Sequence, residues 1–246
     1  MYLIYLHTID KNIKCNIIKK KSLKMATKFP LGKDFYSNLA PEKYLELGIN
    51  NECGTAQQIL NFLGGINIFH PKTMVELGCG PGKSLSCFTS LEIFENYIVA
   101  DVSEKMCVYA ENTWKDKGLN IKSCICDLEK DTLQIPKSSV DLVICTSTIH
   151  YLSDLKNIFS ETFRILKRGG LFAFTLIVNS DNQEVESFIY PNYLRVQCYS
   201  HPRARIHAEM NRGFYIEKSE ILKKSIFMYE GKQANHEAYL FRKIKG

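Results

Sequence analysis

The chain has 246 residues, 45% hydrophobic and 24% charged, the balance of an ordinary globular protein with enough length for a full core. No apolar run approaches the ~20 residues that a membrane-spanning helix needs, and the composition excludes collagenous, disordered and coiled-coil chains. The formal net charge of +6 is unevenly placed: residues 1–24 hold six lysines against one acid, residues 25–194 are net negative, and a basic surplus returns from Arg195 onward. The main body therefore lacks the basic stripe that marks nucleic-acid binding.

Residues 1–6 are apolar and the lysines follow them, the reverse of a secretory signal, and the leader has none of the arginines of a mitochondrial presequence. Met25-Ala26 reads as a second start. Residues 1–24 are expected to be a basic extension outside the fold, and residues 25–246 a single domain. Helices are predicted over 34–47, interrupted by Pro41, and over 55–63. Five apolar runs follow at 73–80, 96–103, 120–127, 140–149 and 171–178. Their near-continuous apolar character predicts strands buried on both faces, as in a parallel sheet.

Between the runs lie helical segments. Ser103 is placed to cap a helix reaching about Lys117. Ser153-Asp154 can cap another, with Leu155, Ile158, Phe159, Thr162 and Leu166 at helical spacing and Gly169-Gly170 as its stop. Such alternation predicts an α/β, doubly wound sheet. Residues 179–218 break the rhythm, apart from a helix near 203–212, and 225–230 with 237–244 read as a closing hairpin around Gly231. The nine cysteines form no CxxC pair, and Cys124 and Cys126 fall on one face of a strand. They read as reduced, mostly buried thiols, which implies a reducing, cytoplasmic location and no metal.

The first run ends Glu76-Leu77-Gly78-Cys79-Gly80-Pro81-Gly82. Three alternating glycines at a strand-to-helix turn let a ligand approach the backbone, and the next helix N-terminus adds free N–H groups. A P-loop would end correctly at Gly82-Lys83-Ser84, but its first glycine would fall on Leu77. A dinucleotide fingerprint would need a small residue at Lys83. Neither spacing fits.

The ordered set of motifs resembles the class I S-adenosylmethionine-dependent methyltransferases, in their small-molecule branch. Glu76-x-Gly78-x-Gly80-x-Gly82 looks like the family's first motif. Ala100-Asp101-Val102-Ser103, with Met106 after it, follows the second run, and Cys126-Asp127-Leu128 the third. Val140-Asp141-Leu142-Val143 opens the fourth run, and Arg164-Ile165-Leu166-Lys167-Arg168-Gly169-Gly170 precedes the fifth. The departures are Arg168 where the family has proline and Ala100 before the acid. The match is continuous over residues 73–178, with the closing strands consistent.

The resemblance implies a Rossmann-like seven-stranded sheet whose last strand is antiparallel, with helices on both faces and an N-terminal helical lid. It also implies S-adenosyl-L-methionine as cofactor, S-adenosyl-L-homocysteine as product, and no metal. Asp101 would take the ribose hydroxyls, because an ionised carboxylate is purely an acceptor. Asp127 would accept the adenine amino group between Val102 and Leu128. Glu76, Gly78, Cys79 and Gly80 would lie along the methionine end, with Thr146 near its amino and carboxylate groups.

His150 follows the fourth strand and is either a pocket-lining group, acting as a general base, or a polar strand end facing a loop. Asp34-Phe35-Tyr36-Ser37-Asn38-Leu39-Ala40 with Tyr44 resembles the family's lid element, which would bring Tyr36 to the methionine end. The segment with Tyr190, Tyr193, Tyr199, His201, Arg203 and Arg205 falls where the family builds its acceptor pocket, and its two arginines could hold an anionic acceptor. The chain lacks the amino-group DNA methyltransferase motif after the fourth strand, a Pro-Cys nucleophile and a metal-ligand cluster. A small-molecule acceptor is therefore expected. The other readings left open are an RNA or protein methyltransferase and a non-catalytic S-adenosylmethionine-binding regulatory module.

Overall fold

The structure is a computed structural model that describes residues 30–46, 52–64, 71–89, 94–179, 185–186, 196–211, 213–229 and 232–245. The expected extension over 1–24, together with Tyr190 and Tyr193, lies outside the described residues.

Five strands, β1 (Thr73–Leu77), β2 (Asn96–Asp101), β3 (Ile121–Ile125), β4 (Val140–Cys145) and β5 (Leu166–Asn179), pair in parallel. Two long strands, β8 (Phe214–Tyr229) and β9 (Lys232–Lys243), complete a seven-stranded sheet in the order β3-β2-β1-β4-β5-β9-β8. The last strand, β9, runs antiparallel between β5 and β8. A short pair, β6 (Val185–Glu186) and β7 (Tyr199–Ser200), stands apart.

The helices are α1 (Gly32–Asn38), α2 (Pro41–Glu46), α3 (Glu52–Leu63), α4 (Leu85–Thr89), α5 (Glu104–Lys115), α6 (Lys156–Ile165) and α7 (Arg203–Met210). Pro41 divides the first expected helix into α1 and α2, as its missing N–H requires. Ser103 caps α5 by accepting from the Met106 N–H at 3.4 Å. Two apolar layers fill the two faces of the sheet. One joins Val75, Val143, Phe172 and Phe174 to Ile158 and Phe159 of α6 and Ile206 of α7. The other joins Met74, Val99 and Leu142 to Ile59 of α3, Phe88 of α4 and Trp114 of α5.

Three elements differ from expectation. The α6 helix ends at Ile165, before Gly169-Gly170, because the buried Lys243 ammonium caps its carboxyl end by donating to the Phe163 and Leu166 carbonyls. Leu166 then turns extended and pairs with Val140. The start of α6 is served by Asp154, whose carboxylate accepts from the Lys156 N–H, while Ser153 donates to Glu129. The closing hairpin begins at Phe214, so regular structure resumes inside the segment expected to be irregular up to 218. Finally, β3 is an edge strand and alternates in burial: Cys124 and Cys126 are buried while Ile125 between them is 56% exposed.

Candidate active site

The strand order reverses between β1 and β4, and in open α/β sheets ligands lie at the carboxyl ends of the strands beside such a switch. The glycine turn leaves β1 there. Gly78, Gly80 and Gly82 have φ of +68°, +49° and +75°, a region that side chains strain to enter. A Cβ on Gly78 would lie 2.2 Å from Thr148 Oγ1, and that hydroxyl donates to the Gly78 carbonyl at 3.2 Å. The Gly78 and Cys79 N–H groups both donate to the Ala100 carbonyl, and the Trp114 indole donates to the Gly82 carbonyl at 2.8 Å. The turn is thus tied to β2, α5 and the loop after β4. The helix that follows, α4, has only five residues and starts at Leu85, so the expected helix N-terminus contributes little beside the turn itself.

Asp101, the last residue of β2, accepts from the Gly80 N–H through Oδ2 and from the Ser103 N–H through Oδ1, each at 2.9 Å. Burial pushes its carboxyl up, against the lowering effect of these backbone donors. A carboxylate offers about four lone-pair sites, so acceptor capacity for a hydroxyl remains.

A cleft of about 360 Å³ opens along the ends of β2 and β3, lined by Lys33, Asp34 and Ser37 of α1 and by Val102, Ile125, Cys126, Asp127, Lys130 and Asp131. Asp127 accepts from the Glu129 N–H at 3.1 Å and from the Lys33 ammonium at 3.3 Å. Burial alone would raise its carboxyl, but these partners prevail and hold it below the usual range. Val102 and Asp127 therefore come together as the motif predicts. Leu128 does not: it is buried in the core, and Ile125 stands at the cleft instead. The residue past a strand end no longer follows the two-residue alternation, whereas Ile125, opposite in parity to Cys124 and Cys126, could have been found from that alternation.

At the other end of the turn, Glu76 is buried within β1, between Val99 of β2 and Ile144 of β4. Thr146 is buried with its hydroxyl 3.4 Å from that of Ser84. Ser147, with φ +54°, sits beside it, held by the Thr175 hydroxyl at 2.9 Å. The Cys79 thiol is held well above the usual thiol range by its hydrogen bond with Cys107 and by burial. A thiol so held stays protonated near neutrality and is a poor nucleophile.

Helices α1 and α2 cover these groups. The Tyr36 and Tyr151 hydroxyls are 2.7 Å apart, their rings 5.0 Å apart, and the Tyr36 ring is 6.1 Å from that of Tyr44. Tyr44 in turn lies 3.9 Å from where a Gly80 Cβ would stand. Gly32 sits against Tyr151 so closely that a Cβ would come within 2.7 Å. Tyr151 and Lys33 thus tie α1 to the rest of the fold, and no sequence motif marks either.

His150 lies in a single 3-10 turn, Ile149–Tyr151, with its ring 4.3 Å from that of Tyr151. Burial, then the neighbouring His236 and His201, push its imidazole down to about 3. The buried ring is therefore held neutral near pH 7. His201 Nε2 lies 2.9 Å from the Leu152 carbonyl, and Tyr199 stacks near it at 6.4 Å. The two arginines are committed within the chain: Arg203 pairs with the buried Glu237, and Arg205 with Asp154 at 3.1 Å. Among the described residues, no group of three or more His, Cys, Asp or Glu side chains is placed to hold a metal ion, and no helix is long and apolar enough to cross a membrane.

This geometry has known counterparts. Residues 75–174 match the family described as "Methyltransferase domain". The probable S-adenosylmethionine-dependent methyltransferase CRG1 of Saccharomyces cerevisiae is 29% identical over 59% of this chain and 45% of its own length. The thiol S-methyltransferase TMT1B of Rattus norvegicus is 28% identical over 42% of this chain and 41% of its own. The chain thus spans less than half the length of these relatives. Geranyl diphosphate C-methyltransferase from Streptomyces coelicolor, solved with S-adenosyl-L-homocysteine, shares the fold with a TM-score of 0.64 at 15% identity, over 83% of this chain and 85% of that one. The fold and the ordered motifs are thus similar to those of class I S-adenosylmethionine-dependent methyltransferases.

Proposed function

We propose that the chain transfers a methyl group to a small-molecule acceptor in the reducing environment of the cytoplasm. The observation that carries this reading is the convergence of the glycine turn, Asp101 and Asp127 at the ends of three adjacent strands, next to a cleft of about 360 Å³. That volume lies in the range of small-molecule sites, and the backbone at Gly80 is open, with Tyr44 at 3.9 Å as the nearest group to a would-be Cβ. The donor set therefore fits an adenosyl group.

When bound, S-adenosylmethionine supplies a sulfonium-activated methyl for in-line displacement. The residues of this chain hold and shield. Asp101 accepts from the ribose hydroxyls, and Asp127 from the adenine amino group. Val102 and Ile125 provide apolar walls for the adenine. Glu76, Cys79 and Thr146 border the methionine end beside Gly78 and Gly80. Tyr36, Tyr44 and Tyr151 close the methyl-donating side and exclude water, so that positioning supplies most of the rate.

A small acceptor is favoured by the lid. Helix α1 is tied across the sheet ends through Tyr151 and through a bridge from Leu31 to Gln197, which supports a site roofed by α1 over one spanned by a polymer. With Arg203 and Arg205 engaged by Glu237 and Asp154, aromatic surfaces, not these cations, hold the acceptor. The named thiol and geranyl diphosphate methyltransferases likewise act on small molecules. The test is methyl-labelled S-adenosylmethionine incubated with the protein and a cell extract, then fractionated by size. Label in the small-molecule fraction is expected; label only in macromolecules overturns the reading.

A further inference from the structure

The roof of the cleft carries a charge that the methyl-transfer chemistry does not use. Lys33 is the second residue of α1, and its ammonium reaches 3.3 Å from Asp127 Oδ2 across a separation of 94 residues in sequence. Lys130 approaches the same oxygen at 3.5 Å from the floor, and Oδ1 is taken by the Glu129 N–H. Lys33 lines the cleft itself, opposite Val102 and Cys126. Asp127 is 9% exposed and Lys33 36%, so the pair is screened less than a surface pair. The hydrogen bond and charge of Asp127 raise Lys33, and Asp127 is lowered, so both are ionised at neutral pH.

We propose that Lys33 is a built-in competitor for the adenine end of the cofactor cleft: together with Lys130 it occupies Asp127 Oδ2, and it must swing away before the adenine amino group can take that oxygen. The inference rests on the functional reading above and adds a determinant of cofactor affinity to it. The exchange swaps a charged donor on Asp127 for a neutral one, so it costs the cofactor affinity. The lid need not open for it. Gly32 stays packed on Tyr151, the Tyr36 and Tyr151 hydroxyls stay paired, and the Leu31–Gln197 bridge anchors the start of α1. Only the flexible four-carbon stem of Lys33 has to swing away.

A methionine at position 33 keeps an apolar stem of similar length and removes the ammonium. Calorimetric titration of Lys33→Met with S-adenosylmethionine should give a dissociation constant about 3–10-fold lower than that of the parent chain. Adenosine, which fills only the adenine and ribose end, should gain by a similar factor. The advantage should shrink as ionic strength rises from about 0.05 M to about 0.5 M, because salt weakens the competing pair. Lys43→Met removes an equal charge from α2, where Lys43 pairs with Glu46 in solvent, and should leave affinity unchanged. Equal or weaker binding by Lys33→Met, with the parent chain binding normally, overturns the competitor role alone. A gain matched by Lys43→Met also overturns it, since the effect would then be general electrostatics. Failure of every chain to bind S-adenosylmethionine or adenosine overturns this inference and the functional reading together.

Discussion

On the floor of the cleft, Gly78, Asp101 and Asp127 sit at strand ends or within two residues of them, and their partners include backbone groups of the same turn or the next strand. On the roof, Tyr36 meets Tyr151 across 115 residues and Lys33 meets Asp127 across 94, in both cases side chain to side chain. At Gly78 and Gly82 the floor is fixed by a left-handed backbone that leaves no room for a Cβ. The roof is fixed by a few long-range contacts of modest individual strength, which can be exchanged.

The largest expected effect is at the floor. Gly78→Ala forces a Cβ into Thr148 at a φ of +68°, and should cost about 2–4 kcal/mol through strain and overpacking. A thermal melt and a cofactor titration should both show it; a variant that melts and binds like the parent chain would mean that the turn is not rigid.

Next comes acid sensitivity at the buried His150. The unfolded chain protonates His150 below about 6.5, while the folded chain does so only near 3. Between those values the unfolded state holds more protons, so stability falls as pH falls, by up to about 1.4 kcal/mol per pH unit from this group. Denaturant melts from pH 7 to pH 4 should show a shallower loss in His150→Phe. An unchanged slope would mean that His150 is already charged when folded.

Arg203→Met distinguishes structure from acceptor binding. It leaves the buried Glu237 carboxylate with the Tyr239 hydroxyl as its donor, and should cost about 1–3 kcal/mol of stability. The KM for the acceptor should stay the same; a rise in KM without loss of stability would return Arg203 to the acceptor site. The smallest effect is expected at the roof. Tyr151→Phe removes one hydroxyl bond and keeps the ring packing, so it should cost about 0.5–1.5 kcal/mol. It should lower kcat more than it changes cofactor affinity, which parallel kinetics and calorimetry would check.

The same contrast explains what could be read from the sequence. Strands β1, β2, β4 and β5 announce themselves as apolar runs because both their faces are buried, and the glycine turn and Asp101 occupy fixed offsets from strand ends. The stop of α6 was hidden because its cap, Lys243, arrives from the other end of the chain. Leu128 lies in the core and Ile125 at the cleft, because the alternation of the edge strand β3 turns Ile125 outward between the buried Cys124 and Cys126. Tyr151 and Lys33 carry no local signature: their importance exists only once α1 is folded over the sheet.

The central claim is that Asp101 at the end of β2 holds the ribose of S-adenosylmethionine. Calorimetric titration of the cofactor into the parent chain and Asp101→Ala tests it most directly. The account predicts low-micromolar binding by the parent chain and a loss of about 1.5–3 kcal/mol in the variant, the scale of charge-assisted hydrogen bonds. Equal affinity in the two proteins, or no binding by the parent chain, would contradict it.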